Sequence, residues 1–237
     1  MQVTCIAKTE IPLRSVNYLI EDALESEFSF ERYADEEDTE RLIEFAGRAC
    51  YQSFNRPNEA TADPKDYIAN ILAKGHFSVL EHASASFYVT GVSRNLLLEL
   101  ERHRHLSFSV LSQRFVNSEN ATLIIPPALR NIDEDMLPKL WAEAYAAAQD
   151  AYAHTVASLG DLARKERREA ARAILPGGVE TKFVVTGNMR AWRDVLQKRF
   201  SVHADAEICE LAGMILDELL VICPAAFSDF PEEPFDD

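Results

Sequence analysis

Arg102-His103-Arg104-His105-Leu106-Ser107-Phe108-Ser109-Val110-Leu111-Ser112-Gln113-Arg114 concentrates positive charge and hydroxyls inside an otherwise strongly acidic chain. With 24 Lys+Arg against 39 Asp+Glu the net charge is -15. That balance opposes general affinity for nucleic acid or an anionic membrane, so a local cationic cluster suits a small anionic ligand. Guanidinium groups flanked by imidazoles and serines are well matched to phosphate.

The 237 residues are 47% hydrophobic, enough to bury about 70–75% of the unfolded surface in one core. Cys5, Cys50, Cys209 and Cys223 have neither metal-ligand nor redox-pair spacing and read as reduced, buried thiols in a cytoplasmic protein. No apolar stretch approaches the roughly 20 residues that span a bilayer, and polar residues interrupt the N-terminus where a secretory signal needs an apolar core. The acids between Glu21 and Glu44 read as solvated faces. The tail at 229–237 is expected to be mobile.

Outward from the basic run, alternation predicts strands at Gln2–Ala7, Ala83–Thr90, Ala121–Ile125 and Val179–Val185. Helical spacing appears at Asp38–Ser53, where Leu42, Phe45, Ala46 and Ala49 recur. Asn58–Pro64 reads as a loop, Pro64–Lys74 as a helix stopped by Gly75, and Arg94–Arg102 as a helix capped by Ser93. Met136–Leu159, Leu162–Leu175, a helix opened by Gly187-Asn188 and running to about Phe200, and Ala204–Ile222 follow. Strands and helices mix without regular alternation, which favours α+β: a central, mostly antiparallel sheet flanked by helices in a single domain over 1–237. There is no Gly-x-Gly-x-x-Gly loop, so a nucleotide cofactor would need another phosphate cradle.

The spacing of Arg102-His103-Arg104 with Ser112 and Arg114 resembles the signature of the flavin-dependent thymidylate synthases. At average residue usage those five positions coincide by chance on the order of 10⁻⁷ per starting point. A second block is similar to the same family: Arg172-Ala173-Ile174-Leu175-Pro176, Thr181, and Thr186-Gly187-Asn188-Met189-Arg190-Ala191-Trp192 through Arg199. The likeness covers His76 to about Phe230.

The resemblance implies reductive methylation of dUMP to dTMP, with 5,10-methylenetetrahydrofolate as carbon donor, NADPH as reductant and FAD as hydride carrier. It also implies a homotetramer whose sites are shared between chains, with no nucleic-acid or membrane partner and no metal. By the same resemblance dUMP is held by Glu99, Arg102, Val110, Leu111, Ser112, Gln113, Arg114 and Arg172, with Arg199 as the catalytic cation beside the pyrimidine. FAD falls to His76, Ser78, Arg102, His103, Arg104, Val110, Asn188, Arg190 and Asp194. Asn188 and Arg199 are eleven residues apart, so a helix would present both on one side, ~16 Å apart.

Taken singly, these residues have blander roles. Asn188 is a good helix cap, Ser78 an ordinary loop hydroxyl, and His76 either a folate-stacking ring or a satisfied structural histidine. Ser112 has no evident acid-base partner and is assigned to binding rather than nucleophilic attack. Three positions depart from common family forms: Phe115 replaces a tyrosine, Asp194 stands where asparagine or histidine is frequent, and Glu99 where some relatives have glutamine. An anion at 194 sits poorly with cofactor phosphates. Two other classes are weighed: a metal-dependent hydrolase using His76, His82, His103 and His105, and a nucleic-acid binder using Arg164-Lys165-Glu166-Arg167-Arg168.

Overall fold

The computed structural model describes residues 1–30, 37–55, 64–132 and 137–236. Four strands, β1 (Gln2–Lys8), β2 (Ser84–Ser93), β3 (Ser107–Val110) and β4 (Glu180–Asn188), form one sheet in the order β1-β2-β4-β3. Every neighbouring pair is antiparallel, as the irregular mixture of elements predicts. The central strands alternate as a half-buried sheet requires: Ala85, Phe87 and Val89 of β2 and Thr181, Phe183 and Val185 of β4 point inward.

Over that face lie α7 (Met189–Arg199) and α8 (Ala206–Ile222). Trp192 of α7 is fully buried and meets Phe87 edge-on, with ring centroids 5.1 Å apart. Leu211, Ile215 and Leu219 form the buried stripe of α8, the face that their spacing predicts. Gly187, where β4 turns into α7, admits no side chain: an added Cβ would lie 2.5 Å from Leu106 Cδ2 and 3.1 Å from the Trp192 ring. The chain enters α7 through that contact.

The other helices are α1 (Leu13–Asp22), α2 (Asp38–Tyr51), α3 (Pro64–Ala73), α4 (Arg94–Leu100), α5 (Leu137–Ser158), α6 (Arg164–Ala171) and α9 (Pro224–Phe227). Gly75 follows α3 with φ +69°, the left-handed stop that glycine allows. Ser93 caps α4 as anticipated, its Oγ accepting the Leu96 N–H at 3.1 Å.

Several expectations need correction. Ala121–Ile125 forms only an isolated bridge, Leu123 with Val179, because Pro126 and Pro127 follow immediately and offer no N–H to extend pairing. The basic segment 162–175 breaks into α6 and a 3₁₀ turn at Arg172–Ile174. The face of α2 that carries Leu42, Phe45, Ala46 and Ala49 is only half-buried, whereas Glu40, Glu44 and Arg48 are buried. Those acids are therefore not solvated. Glu40 accepts the Ala225 N–H at 2.6 Å, and Arg48 donates to Glu44 at 2.6 Å while lying 4.7 Å from the Phe28 and Tyr67 rings. The four thiols are free, but Cys223 alone is buried and Cys50 is exposed.

The acidic tail is docked: Val202 N–H donates to Phe235 O, Phe235 N–H donates to Phe200 O, and Phe230 packs between Phe227 and Phe235. The sequence did not anticipate α1, β3 or α9. The loop expected at 58–64 falls, apart from Pro64, outside the described residues.

Candidate active site

The signature begins where α4 ends. His103 N–H bonds to Leu100 O, and Leu106 N–H bonds to His103 O, closing a tight turn. That turn buries the His103 side chain and leaves Arg102, Arg104 and His105 exposed. The last turn of α7 faces it. Together Arg102, His103, Arg104, His105, Asp194, Lys198 and Arg199 line a cavity of about 450 Å³.

Arg199 is the best-anchored cation here. Its Nε–H donates to His103 Nε2 at 3.0 Å, and its two amino groups donate to Glu99 Oε2 at 2.9 Å and to the Glu99 carbonyl at 3.0 Å. His103 Nδ1 faces Asp194 Oδ2 at 3.5 Å, and Asp194 Oδ1 accepts from Lys198 Nζ at 2.5 Å. Burial and the Arg199 charge push the imidazole below its usual value, against the opposing pull of Asp194. Burial pushes the Asp194 carboxyl up, but Lys198 and His103 outweigh it and hold the group below the ordinary carboxylate value.

A second set lies beside the 3₁₀ segment Phe77–Glu81. His76, Ser78 and Arg190 line a cavity of about 320 Å³ with Tyr51 and Tyr67. The Tyr51 and His76 rings stack at 6.3 Å, and Arg190 donates to Glu81 at 2.6 Å. Asn188 does cap α7, its Oδ1 accepting the Ala191 N–H at 2.8 Å, which leaves its amide NH₂ to donate.

A third set follows β3. Val110 pairs with Phe183, and Leu111 N–H donates to Lys182 O. The Ser112 carbonyl accepts from Phe115 and Val116, closing a turn in which Gln113 is buried. Arg114 Nε lies 2.6 Å from Glu169 Oε2, an ion pair whose N–H is not aimed at the oxygen. Phe115, in place of tyrosine, lies under Lys165, 5.7 Å from its ring centre, and its carbonyl accepts from Arg168. Arg172 is exposed just beyond α6.

The fold thus joins Glu99, Arg102, His103, Asp194 and Arg199 in one network whose cavity Arg104 also lines, and brings His76, Ser78 and Arg190 to another cavity. Val110 and Leu111 are held by β4, and Arg114 by α6. Lys198, Tyr51, Glu81 and Glu169 escaped the sequence reading. Lys198 had a signal, being four residues after Asp194 on a helix; the others meet their partners only through the fold. A further cavity, about 660 Å³ between α5, residues 123–128 and the start of α8, is lined by none of the anticipated residues. Among the described residues no group of three His, Cys, Asp or Glu is arranged to hold a metal ion, and no helix is long and apolar enough to cross a membrane.

The solved structure of thymidylate synthase X from Helicobacter pylori, described with FAD and dUMP, has the same fold, with a TM-score of 0.66 over 97% of this chain and 98% of that one at 22% identity. A probable flavin-dependent thymidylate synthase of Mycobacterium phage L5 is 46% identical over 243 residues, 99% of each chain. The flavin-dependent thymidylate synthase of Mycobacterium bovis BCG is 48% identical over 198 residues, 80% of this chain and 78% of its own. The model of the family described as thymidylate synthase complementing protein, Thy1, matches residues 33–225, a span that includes both arginine-bearing blocks and the helix joining them to the sheet. The chain belongs to the flavin-dependent thymidylate synthase family.

Proposed function

We propose that this chain methylates dUMP reductively to dTMP, taking the carbon from 5,10-methylenetetrahydrofolate and the electrons from NADPH through FAD. The observation that carries this reading is the triple anchoring of Arg199 by His103 and Glu99 beside a cationic cavity in a chain of net charge -15. A guanidinium whose orientation is set before substrate arrives stabilises negative charge developing on a pyrimidine without reorganising at the moment of reaction.

The residues fit a flavin dinucleotide. Arg102, His103 and Arg104 surround a polar cavity of a size to take phosphates, and Arg190, Ser78, His76 and the Asn188 amide supply donors beside two aromatic rings. Asp194 is the exception, and its charge is already taken up by Lys198 and His103. When bound, FAD supplies the two-electron carrier that amino-acid side chains lack. The protein's own tasks are gripping anions, orienting the ring and excluding water.

dUMP falls to Arg102, Arg114, Arg172, Ser112 and the backbone of Val110, Leu111 and Gln113, with Glu99 at its edge. Arg114 is paired with Glu169 of α6 and Arg172 directly follows that helix, whereas Arg199 is held by α4 and the signature turn. That separation supports a homotetramer in which neighbouring copies complete each site, and the free thiols support a cytoplasmic setting.

The test is an anaerobic assay of purified protein with dUMP, methylenetetrahydrofolate, NADPH and FAD, following dTMP and the flavin spectrum together. FAD-dependent dTMP formation is the expected result. Bound and reduced flavin without dTMP refutes the substrate assignment, and absence of flavin binding refutes the cofactor assignment. Sedimentation at fixed concentration checks the tetramer.

A further inference from the structure

His103 is the buried member of an otherwise exposed cationic turn, and it lies between opposite charges. Its Nε2 accepts the Arg199 Nε–H, and its Nδ1 faces Asp194. A neutral imidazole carries one N–H. With Nε2 as acceptor, that proton sits on Nδ1, 3.5 Å from Asp194 Oδ2.

We propose that Asp194 is a positioning residue: through the Nδ1–H of His103 it selects the tautomer whose Nε2 holds Arg199, so that the guanidinium is oriented before dUMP binds. The inference deepens the proposed function, resting on Arg199 as the cation beside the pyrimidine. Arg199 has five N–H donors; one goes to His103 and one each to the Glu99 carboxylate and carbonyl. Two remain for ligand, and their direction is set by the three already used. Lys198 donates to the other Asp194 oxygen, an exposed pair four residues apart on α7 that biases the carboxylate's orientation.

Protonation of His103 breaks the chain. It converts Nε2 from acceptor to donor, aimed at the Arg199 N–H, and adds a cation beside a cation. The charged or titratable groups around His103 are Asp194, Lys198 and Arg199 on α7, Glu99 on α4, and Arg102, Arg104 and His105 in its own turn. Asp194 opposes this repulsion; Lys198 adds to it.

Opposite substitutions on α7 therefore give opposite outcomes. Asp194→Asn keeps an oxygen for the Nδ1–H but removes the anion, so the acid limb of kcat/KM moves to lower pH. Lys198→Gln removes a repelling cation, and the acid limb moves to higher pH. Asp194→Leu leaves Nδ1–H without an acceptor and frees the tautomer, lowering kcat by on the order of 10²-fold at neutral pH. Its melting curve and flavin absorbance separate lost orientation from misfolding, and Asp194→Asn and Lys198→Gln suffice if Asp194→Leu does not fold.

The same variants are titrated without ligands by NMR of the His103 imidazole. The expected result is a His103 titration displaced downward in Asp194→Asn and upward in Lys198→Gln, with each acid limb following. A titration unmoved by either change, limbs that stay fixed while the titration moves, or full kcat in folded Asp194→Leu would each overturn the proposal. If the wild-type protein forms no dTMP, the functional reading fails by itself, and the titration decides whether Asp194 sets the tautomer.

Discussion

Glu207→Ala tests how the fold delivers the active-site turn. Glu207, in the first turn of α8, accepts the Ser93 N–H at 2.7 Å on one oxygen and the Ser93 hydroxyl on the other. Ser93 in turn accepts from Leu96 N–H, so one carboxylate ties α8 to the cap of the helix that carries Glu99 and ends at the signature. Both residues are buried, at 6% and 2% exposure, at the wall of the cavity of about 660 Å³, so water replaces the lost acceptors only in part. An unsatisfied buried backbone donor costs about 1–3 kcal/mol, and a charge-assisted hydroxyl bond contributes about 1.5–3 kcal/mol. Relief from burying a carboxylate offsets part of this, leaving roughly 3 kcal/mol of destabilisation. At about 2–4 °C per kcal/mol for a chain of this size, Tm should fall by about 6–12 °C. Glu207→Gln keeps one acceptor and should lose about half as much. Thermal and urea unfolding at one protein concentration measure both, and a double-mutant cycle with Ser93→Ala should give a coupling above about 1 kcal/mol. A Glu207→Ala protein within about 0.5 kcal/mol of wild type, or additive single mutants, would refute the reasoning.

Arg199→Ala should cut kcat by on the order of 10²–10³-fold while flavin absorbance and folding persist, because the lost cation acts on developing charge; steady-state assays with saturating FAD decide it. Arg104→Ala should weaken FAD binding by about tenfold, the loss of one charge-assisted contact, and an unchanged Kd in a flavin fluorescence titration would remove Arg104 from the cofactor set. Gly187→Ala forces a methyl against Leu106 and Trp192 and should cost about 1–3 kcal/mol in urea unfolding. Burial pushes the Asp229 carboxyl up, but the two hydrogen bonds and the charge of Arg193 outweigh burial and depress it. Its stabilisation is therefore present above the ordinary carboxylate value of 3.8 and is lost as pH falls through the lower folded value. Because Asp229 is half exposed, Asp229→Asn should cost only about 1 kcal/mol at neutral pH, a gap in urea midpoint that should close as pH falls below that of an ordinary carboxylate.

What the sequence disclosed depended on how local the cause was. The signature is thirteen contiguous residues of telling type, and Asn188 and Ser93 cap their helices within three residues, so composition and spacing reveal them. The i,i+4 spacing of Glu44 and Arg48 allows their pairing to be read, but the burial of Glu40 and Arg48 against Ala225, Phe28 and Tyr67 has no such trace, since folding alone brings these together. An amphipathic pattern therefore pointed α2 by its apolar residues, and the fold used its charged side as well. β3 was missed although it lies inside the signature, because four residues on a sheet edge show too little alternation to outweigh the basic turn before them. The roles of Glu99 and Asp194 were blurred for the same reason. Read as possible ligand contacts, they are seen in the fold to be occupied by Arg199, His103 and Lys198.

Exposure then sorts the arginines by task. Arg102, Arg114, Arg190 and Arg199 each face a carboxylate, so an incoming anion must compete with it. Arg102 is 73% exposed and only 3.9 Å from Glu99, and the Arg190–Glu81 pair is about half exposed on both sides. Pairs so open to water are worth ~0–1 kcal/mol and exchange readily for a phosphate that offers more charge and more acceptors. Arg199 differs: it is 16% exposed and makes three directed bonds, one to a backbone carbonyl that cannot swing away. Removing it from that setting would strand a buried imidazole acceptor and a carboxylate at once, which makes release costly. Under the proposed function, the exposed arginines are the ones that change partner when ligands arrive, and Arg199 is the one that stays. That is the arrangement required of a cation whose place must be set before charge develops on the ring.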